Sequence, residues 1–261
     1  MTTTAVPTAP PRHEPDVAGP SLARLTAVEL RKLADTRAGR WLLITIGLIA
    51  AAIVVVQLFV VDAPDQTFTA FFTPSLLPVG LLLPVLGILS ITGEWSQRSA
   101  LTTFALVPRR ERVIVAKLAA VVLAALASVL VSLAVAAVGT LAARATGGAG
   151  AWTFDWRLLP HAAVFQVASV LMGAAFGLLL LNTPLAIVTY LLLPTVWSLL
   201  AAMISALREP ARWLDTSYTM EPLLGAEMTG GQWGRLGVSL AVWVLLPLVA
   251  GLVRTMRREV S

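Results

Sequence analysis

The stretch WLLITIGLIAAAIVVVQLFVV, residues 41–61, carries no charged side chain and a single amide, Gln57. A helix of about 20 such residues spans the ~30 Å hydrocarbon core of a bilayer. Apolar all round, it has no broad polar face to offer to water. Five more stretches with charge-free cores follow, at residues 75–92, 113–143, 162–181, 186–206 and 236–253. A charge at the centre of such a helix would cost about 2.5–3.5 kcal/mol on insertion. The whole chain of 261 residues is 57% hydrophobic and only 13% charged, against about 25% charged in soluble domains. These features predict an all-α integral membrane protein with six transmembrane helices, the permease domain occupying residues 41–254.

Upstream, residues 1–20 hold Pro7, Pro10, Pro11, Pro15 and Pro20 among Thr, Ala and charges, which reads as a disordered cytoplasmic tail. No apolar run begins before Trp41, so a secretory signal is not expected. Residues 21–40 read as an amphipathic helix capped by Ser21. Leu22, Leu25, Leu30 and Leu33 share one face, Arg24, Arg31 and Asp35 lie opposite, and Lys32 marks the border. Glu29 intrudes on the apolar face. A basic amphipathic helix ahead of a span belongs in the membrane interface, with Glu29, Arg31, Lys32 and Arg37 as its charged residues; a solvated helical linker is the alternative.

Orientation follows from the basic residues. With the N-terminus inside, the segments 1–40, 92–117, 182–185 and 254–261 carry fourteen of the nineteen Lys and Arg. The other five, Arg144, Arg157, Arg208, Arg212 and Arg235, fall outside. That asymmetry predicts cytoplasmic termini, with residues 255–261 as a short inner tail. The outer connection 207–235 is too apolar for a flexible loop and too polar to span. Trp213, Leu214, Leu223, Leu224, Met228 and Trp233 suggest short helices at the outer leaflet.

Little in the sequence suggests chemistry. There is no cysteine, hence neither disulfide nor thiolate metal site. Seventeen of the basic residues are arginine; Lys32 and Lys117 are the only lysines, and neither follows a phosphate-cradling G-x-x-x-x-G-K-[ST] loop. The fourteen acids lie in loops, the tail or helix borders, which weakens a proton- or sodium-coupled mechanism. The two histidines, His13 and His161, have no partner for a nucleophile–base pair, and no HExxH is present. The chain is therefore expected not to be an enzyme and to hold no cofactor or metal. Its net charge of +5 is spent on topology, and nucleic acid is not an expected partner.

One stretch is dense in groups: GEWSQRSALTTFALVPRRERVIVAK, residues 93–117, between the second and third spans. On residues alone, Arg109, Arg110 and Arg112 serve equally as partner contacts or as topology anchors. The stretch resembles the intracellular signature of ABC-2 type permeases, particularly the actinobacterial form. The resemblance rests on Glu94-Trp95, Arg98, Thr102-Thr103-Phe104, Pro108-Arg109-Arg110, Arg112-Val113 and Ala116-Lys117. Glu29-Leu30-Arg31-Lys32-Leu33 ahead of Arg37 and Trp41 is similar to the opening of that family, so the likeness covers about residues 22–258. Ser99-Ala100 departs from the Gly-Thr that many relatives carry after the basic residue.

The resemblance implies an exporter of two permease copies, identical or homologous, and two ATPase subunits that hold ATP and Mg, in a bacterial inner membrane. It also implies that the 93–117 loop and the N-terminal helix meet the ATPase, making Glu94, Trp95, Arg98, Pro108, Arg109, Arg110, Arg112 and Lys117 a coupling set. An ATP-independent secondary carrier or a membrane scaffold is the competing reading. The substrate-binding residues and the cargo are not legible. Gly173 and Gly177 allow close helix approach, within the chain or between copies, and Pro84 and Pro194 can kink their helices.

Overall fold

The computed structural model of the chain describes residues 20–96 and 110–257, with the backbone alone at 94–96 and 110. It is helical, without a strand among the described residues. Six helices are long and apolar enough to cross a membrane: Arg37–Val60, Phe68–Gly93, Glu111–Ala145, Leu158–Leu180, Thr183–Met203 and Gly230–Arg257. Their surfaces show which solvent they suit. Trp41, Leu48, Phe59 and Val60 on the first of them, and Leu199 and Met203 on the fifth, are exposed apolar side chains. A water-soluble protein rarely leaves continuous apolar surface of that kind bare; a multi-pass membrane protein does so as a rule.

Ahead of the six lies α1 (Leu22–Asp35), capped by the Ser21 hydroxyl on the Arg24 N–H at 3.3 Å. The amphipathic segment expected over 21–40 is not one helix. Thr36 adopts an extended conformation that ends α1, and its hydroxyl accepts from the Gly39 N–H at 3.1 Å to start α2 (Arg37–Val60). Arg37 and Arg40 therefore belong to α2. Gly39 is required at this corner, because a Cβ there would overlap the Leu33 carbonyl oxygen.

The next helix, α3 (Phe68–Ser96), contains Pro74, Pro78 and Pro84. It pairs with α5 (Leu158–Leu180) as the buried centre of the bundle; 61% of each apolar window is buried, against 17% for α2 and for α6 (Thr183–Met203). Small residues make this contact. Gly173 faces the Pro84 backbone, Gly177 faces Ile88, and Gly87 faces the Val170 carbonyl. Of the two readings of the glycine pair, packing within the chain is the one observed.

Each proline removes the N–H that would bond the carbonyl four residues earlier. Pro74 thus frees the Ala70 carbonyl, and Gln57 of α2 donates to it at 2.6 Å. Pro84 frees the Gly80 carbonyl, and the Tyr190 hydroxyl of α6 donates to it at 3.2 Å. The lone amide of the first span is therefore spent on repairing the second. Gln166 of α5 adds a bond to the Leu76 carbonyl at 3.2 Å.

The fourth element, α4 (Arg110–Ala145), has 36 residues and so runs about 54 Å, well beyond a ~30 Å core. The α5–α6 turn consists of Leu181, in the left-handed region at φ 50°, and Asn182, whose side chain caps α6 on the Leu185 N–H. Between α6 and the last span stand two short helices, α7 (Arg208–Leu214) and α8 (Thr216–Met220), and 3-10 turns over Ser205–Leu207 and Glu221–Leu224. Buried Asp215 caps α8, and His161 contacts the Gly225 carbonyl at 2.7 Å. The last span starts at a Thr229–Gln232 capping box, six residues before the expected Leu236. It comprises α9 (Gly230–Leu240), a π turn over Ala241–Leu245, and α10 (Leu246–Arg257). Pro247, the second residue of α10, cannot donate to the Trp243 carbonyl within the π turn.

Gly173→Val should therefore disrupt the α3–α5 contact and destabilise the purified protein by about 1–3 kcal/mol. Gly47→Val, at a position where an added Cβ meets nothing within 4 Å, should leave the thermal unfolding midpoint in detergent unchanged; equal midpoints for the two variants would count against this packing.

Candidate functional site

Apart from Asp215, which caps α8, the buried charges among the described residues meet in one place. On α1, Thr26, Glu29 and Leu33 share the buried stripe, so the acid that spoils the apolar pattern lies against the protein. On α4, Ile114, Lys117 and Val121 are buried at helical spacing. The two stripes meet, and Leu33, Ile114 and Val121 belong to one apolar cluster with Val79, Leu83 and Leu86 of α3.

Within that cluster the Lys117 Nζ donates to Glu29 Oε2 at 2.8 Å and to the Ser90 carbonyl of α3 at 2.9 Å. Lys32 approaches the other carboxylate oxygen, Oε1, at 2.7 Å. The Glu29 and Lys117 side chains are 7% and 6% exposed, whereas Lys32 is 47% exposed. One carboxylate thus holds both lysines of a chain whose other cations are arginines. The compact ammonium, a point charge on a slender stem, suits a slot between three helices better than a planar guanidinium. A third tie lies nearby, where an Arg112 guanidinium nitrogen donates to the Pro20 carbonyl at 3.0 Å. The start and the middle of α1 are accordingly fixed to the first turns of α4.

The energetics are those of a buried pair. Opposite charges attract strongly where water is excluded, but each has lost its hydration. The net worth of the pair is small, yet removing one partner leaves the other's buried charge less well compensated, a cost of about 1–3 kcal/mol. The arrangement is a positional lock between α1, α3 and α4. It contains no nucleophile beside a base, and no group of three metal-ligating side chains occurs among the described residues.

Of the residues singled out in the sequence, the structure brings together Glu29, Lys32 and Lys117, with Arg112 one turn and a half away on α4. Arg31 points to the exposed side of α1, and Arg37 is exposed at the start of α2. Glu94 and Trp95 lie in the last turn of α3 and Arg110 is the first residue of α4, their side chains outside the description; Arg98, Pro108 and Arg109 fall outside the described residues. The Ser90 carbonyl had no signal in the sequence, because any residue supplies that group. Glu29 did have one: an acid on the apolar face calls for a buried cation.

A second basic contact fastens the same end of the bundle. Arg254 of α10 donates to the Leu179 carbonyl in the last turn of α5, where unpaired carbonyls attract a cation. Beside it, Gly251 packs on the Leu178 and Leu179 backbone. Thr92 of α3 and Thr183 of α6 share a hydroxyl contact at 2.7 Å.

No protein-family model matches the chain, and no curated protein matches it.

The lock has a measurable signature. Lys117→Met alone, which leaves Glu29 Oε2 without its donor while Oε1 keeps Lys32, should loosen α1 by about 1–3 kcal/mol, whereas Glu29→Leu/Lys117→Met together should recover most of that loss. The readout is the labelling rate of a cysteine placed at Leu33, on the buried face of α1. A double variant as loose as the single one would show that the two residues do not act as a pair.

Proposed function

We propose that this chain is the permease subunit of an ABC-2 type exporter, lining the translocation path while a separate ATPase supplies the energy. The observation that carries this reading is the Glu29–Lys117 lock. It fastens α1 to the two helices, α3 and α4, that flank the basic stretch over 93–117. An engine acting on that stretch or on α1 would move the same three-helix unit. The resemblance of the 93–117 residues to the family's intracellular signature supports the reading independently of the packing.

In this reading α1 lies in the cytoplasmic interface of a bacterial inner membrane, both termini are cytoplasmic, and a second permease copy completes the path. The exposed apolar faces of α2 and α6 face lipid or that second copy. The arginine asymmetry sets the orientation. Export by a chain with no P-loop requires the partner ATPase to hold ATP and Mg. The coupling set Glu94, Trp95, Arg98, Pro108, Arg109, Arg110, Arg112 and Lys117 then forms the ATPase-facing surface together with α1.

Two experiments test this. The purified chain alone should hydrolyse no ATP, and adding the ATPase encoded beside it should give an activity that Glu29→Gln lowers without lowering assembly. Turnover by the isolated chain, or full activity of an assembled Glu29→Gln complex, would refute the coupling. Separately, a cysteine at Ser96 should resist an impermeant thiol reagent in intact cells, while one at the exposed Glu227 reacts. The native chain has no cysteine, so background is nil, and the reverse pattern would invert the topology.

A further inference from the structure

At the end of the bundle opposite the lock, the basic residues are few and unevenly placed. Arg144, Arg157, Arg208, Arg212 and Arg235 are the five arginines assigned to that side. Three of them, Arg208 and Arg212 of α7 and Arg235 of α9, line one cavity of about 500 Å³, with Tyr218, Thr219, Gln232 and Ser198. No carboxylate lines it. Arg212 does pair with Glu209 at 3.0 Å, but both side chains are more than 60% exposed, and such a surface pair holds a cation only weakly. Arg235 stands 6.0 Å above the Trp213 ring, which orients its guanidinium without neutralising it.

A second cavity of about 530 Å³ lies between α3, α5 and α6, and Ser198 lines both. Its walls include Leu77, Leu81, Phe165, Met172, Leu191 and Pro194. The Tyr190 hydroxyl reaches its wall already committed to the Gly80 carbonyl, and one acid, Glu221, stands at its edge in the 3-10 turn. A cationic chamber and a largely apolar crevice therefore adjoin at Ser198, which forms a wall of each.

We propose that these adjoining cavities together bind an amphiphile with an anionic head and an acyl tail, the head among Arg208, Arg212 and Arg235 and the tail past Ser198 into the crevice. Charge complementarity selects the head, since three cations converge where the topology rule disfavours them. The apolar crevice selects the tail, and the Glu221 carboxylate beside it repels a second negative group. Such a molecule has the composition of an anionic membrane lipid. The assignment rests on the chain being a membrane protein and not on the ATPase coupling. It holds whether the amphiphile is cargo or a resident lipid.

The test uses the full chain purified in dodecyl maltoside and incubated with equal amounts of phosphatidylglycerol and phosphatidylcholine, the retained lipids being counted by native mass spectrometry. Each arginine near a lipid head weighs about fivefold, so the wild type should retain phosphatidylglycerol preferentially. Arg208→Gln/Arg212→Gln/Arg235→Gln should lose at least about tenfold of that preference. Arg157→Gln, an arginine on the same side that pairs with Glu227 and does not line the cavity, should retain it. Ser198→Trp, which plugs the junction, should lower retention of both lipids at the site. Glycerol phosphate, carrying the head without the tail, should fail to displace bound phosphatidylglycerol.

Unchanged preference in the triple variant, or an equal fall with Arg157→Gln, would overturn the site. Displacement by glycerol phosphate as effective as by the lipid would reduce it to an anion site and overturn the amphiphile. Should the triple variant be polydisperse on size exclusion, the single Arg208→Gln, at an exposed position, carries the same comparison with about a fivefold expected loss. Survival of the binding difference beside an inactive ATPase complex would separate this result from the coupling proposal.

Discussion

The backbone of a helix in hydrocarbon has no water to turn to, so every carbonyl left unpaired must find a donor on a neighbour. Three prolines in α3 make that constraint acute at the centre of this bundle. Two of the freed carbonyls are answered from outside the helix: Gln57 from α2 at Ala70, and Tyr190 from α6 at Gly80. These bonds position α2 and α6 on either flank of the α3–α5 pair, and the glycine contacts then set how closely that pair approaches. Individually such bonds are worth about 0.6 kcal/mol on average in membranes. Their value lies in direction, since a proline-bent helix without them would have several near-equivalent packings.

The lock at Glu29 works by the same logic with charge in place of a dipole. Burying a carboxylate on α1 is tolerable only where Lys117 waits for it, which restricts α1 to one register against α4. An apolar residue at position 29 would pack as well and specify less. The proposed coupling gains from this restriction, because motion passes between elements whose relative position is single-valued.

Much of the architecture was legible because hydrocarbon permits so few solutions. Charge-free runs marked all six long helices, and the loss of detail was at their ends: α3 begins at Phe68 instead of near Ser75, and the last span at Gly230 instead of Leu236. Both extensions fall in mixed sequence, where hydropathy is silent and capping decides. The expected continuous helix over 21–40 failed at Thr36, a residue able to cap in either direction. Glu29 was visible only as a flaw in an apolar stripe, since its partner is 88 residues away in the chain. The Ser90 carbonyl was not visible at all, whereas Pro74 and Pro84 marked Ala70 and Gly80 as unfilled acceptors without naming their donors.

The corner at Thr36 has a mechanical consequence. With Gly39 pressed on the Leu33 carbonyl and the Thr36 hydroxyl closing the next turn, α1 and α2 meet without a slack linker. The 14 residues of α1 make an arm about 21 Å long, joined stiffly to a membrane-length helix. A displacement at the far end of that arm becomes a torque on α2, undamped at the elbow, and α2 in turn holds the Ala70 carbonyl through Gln57. Tilting the arm therefore pulls on α3 at the carbonyl that Pro74 leaves free, through a bond from Gln57, 13 residues earlier in the sequence.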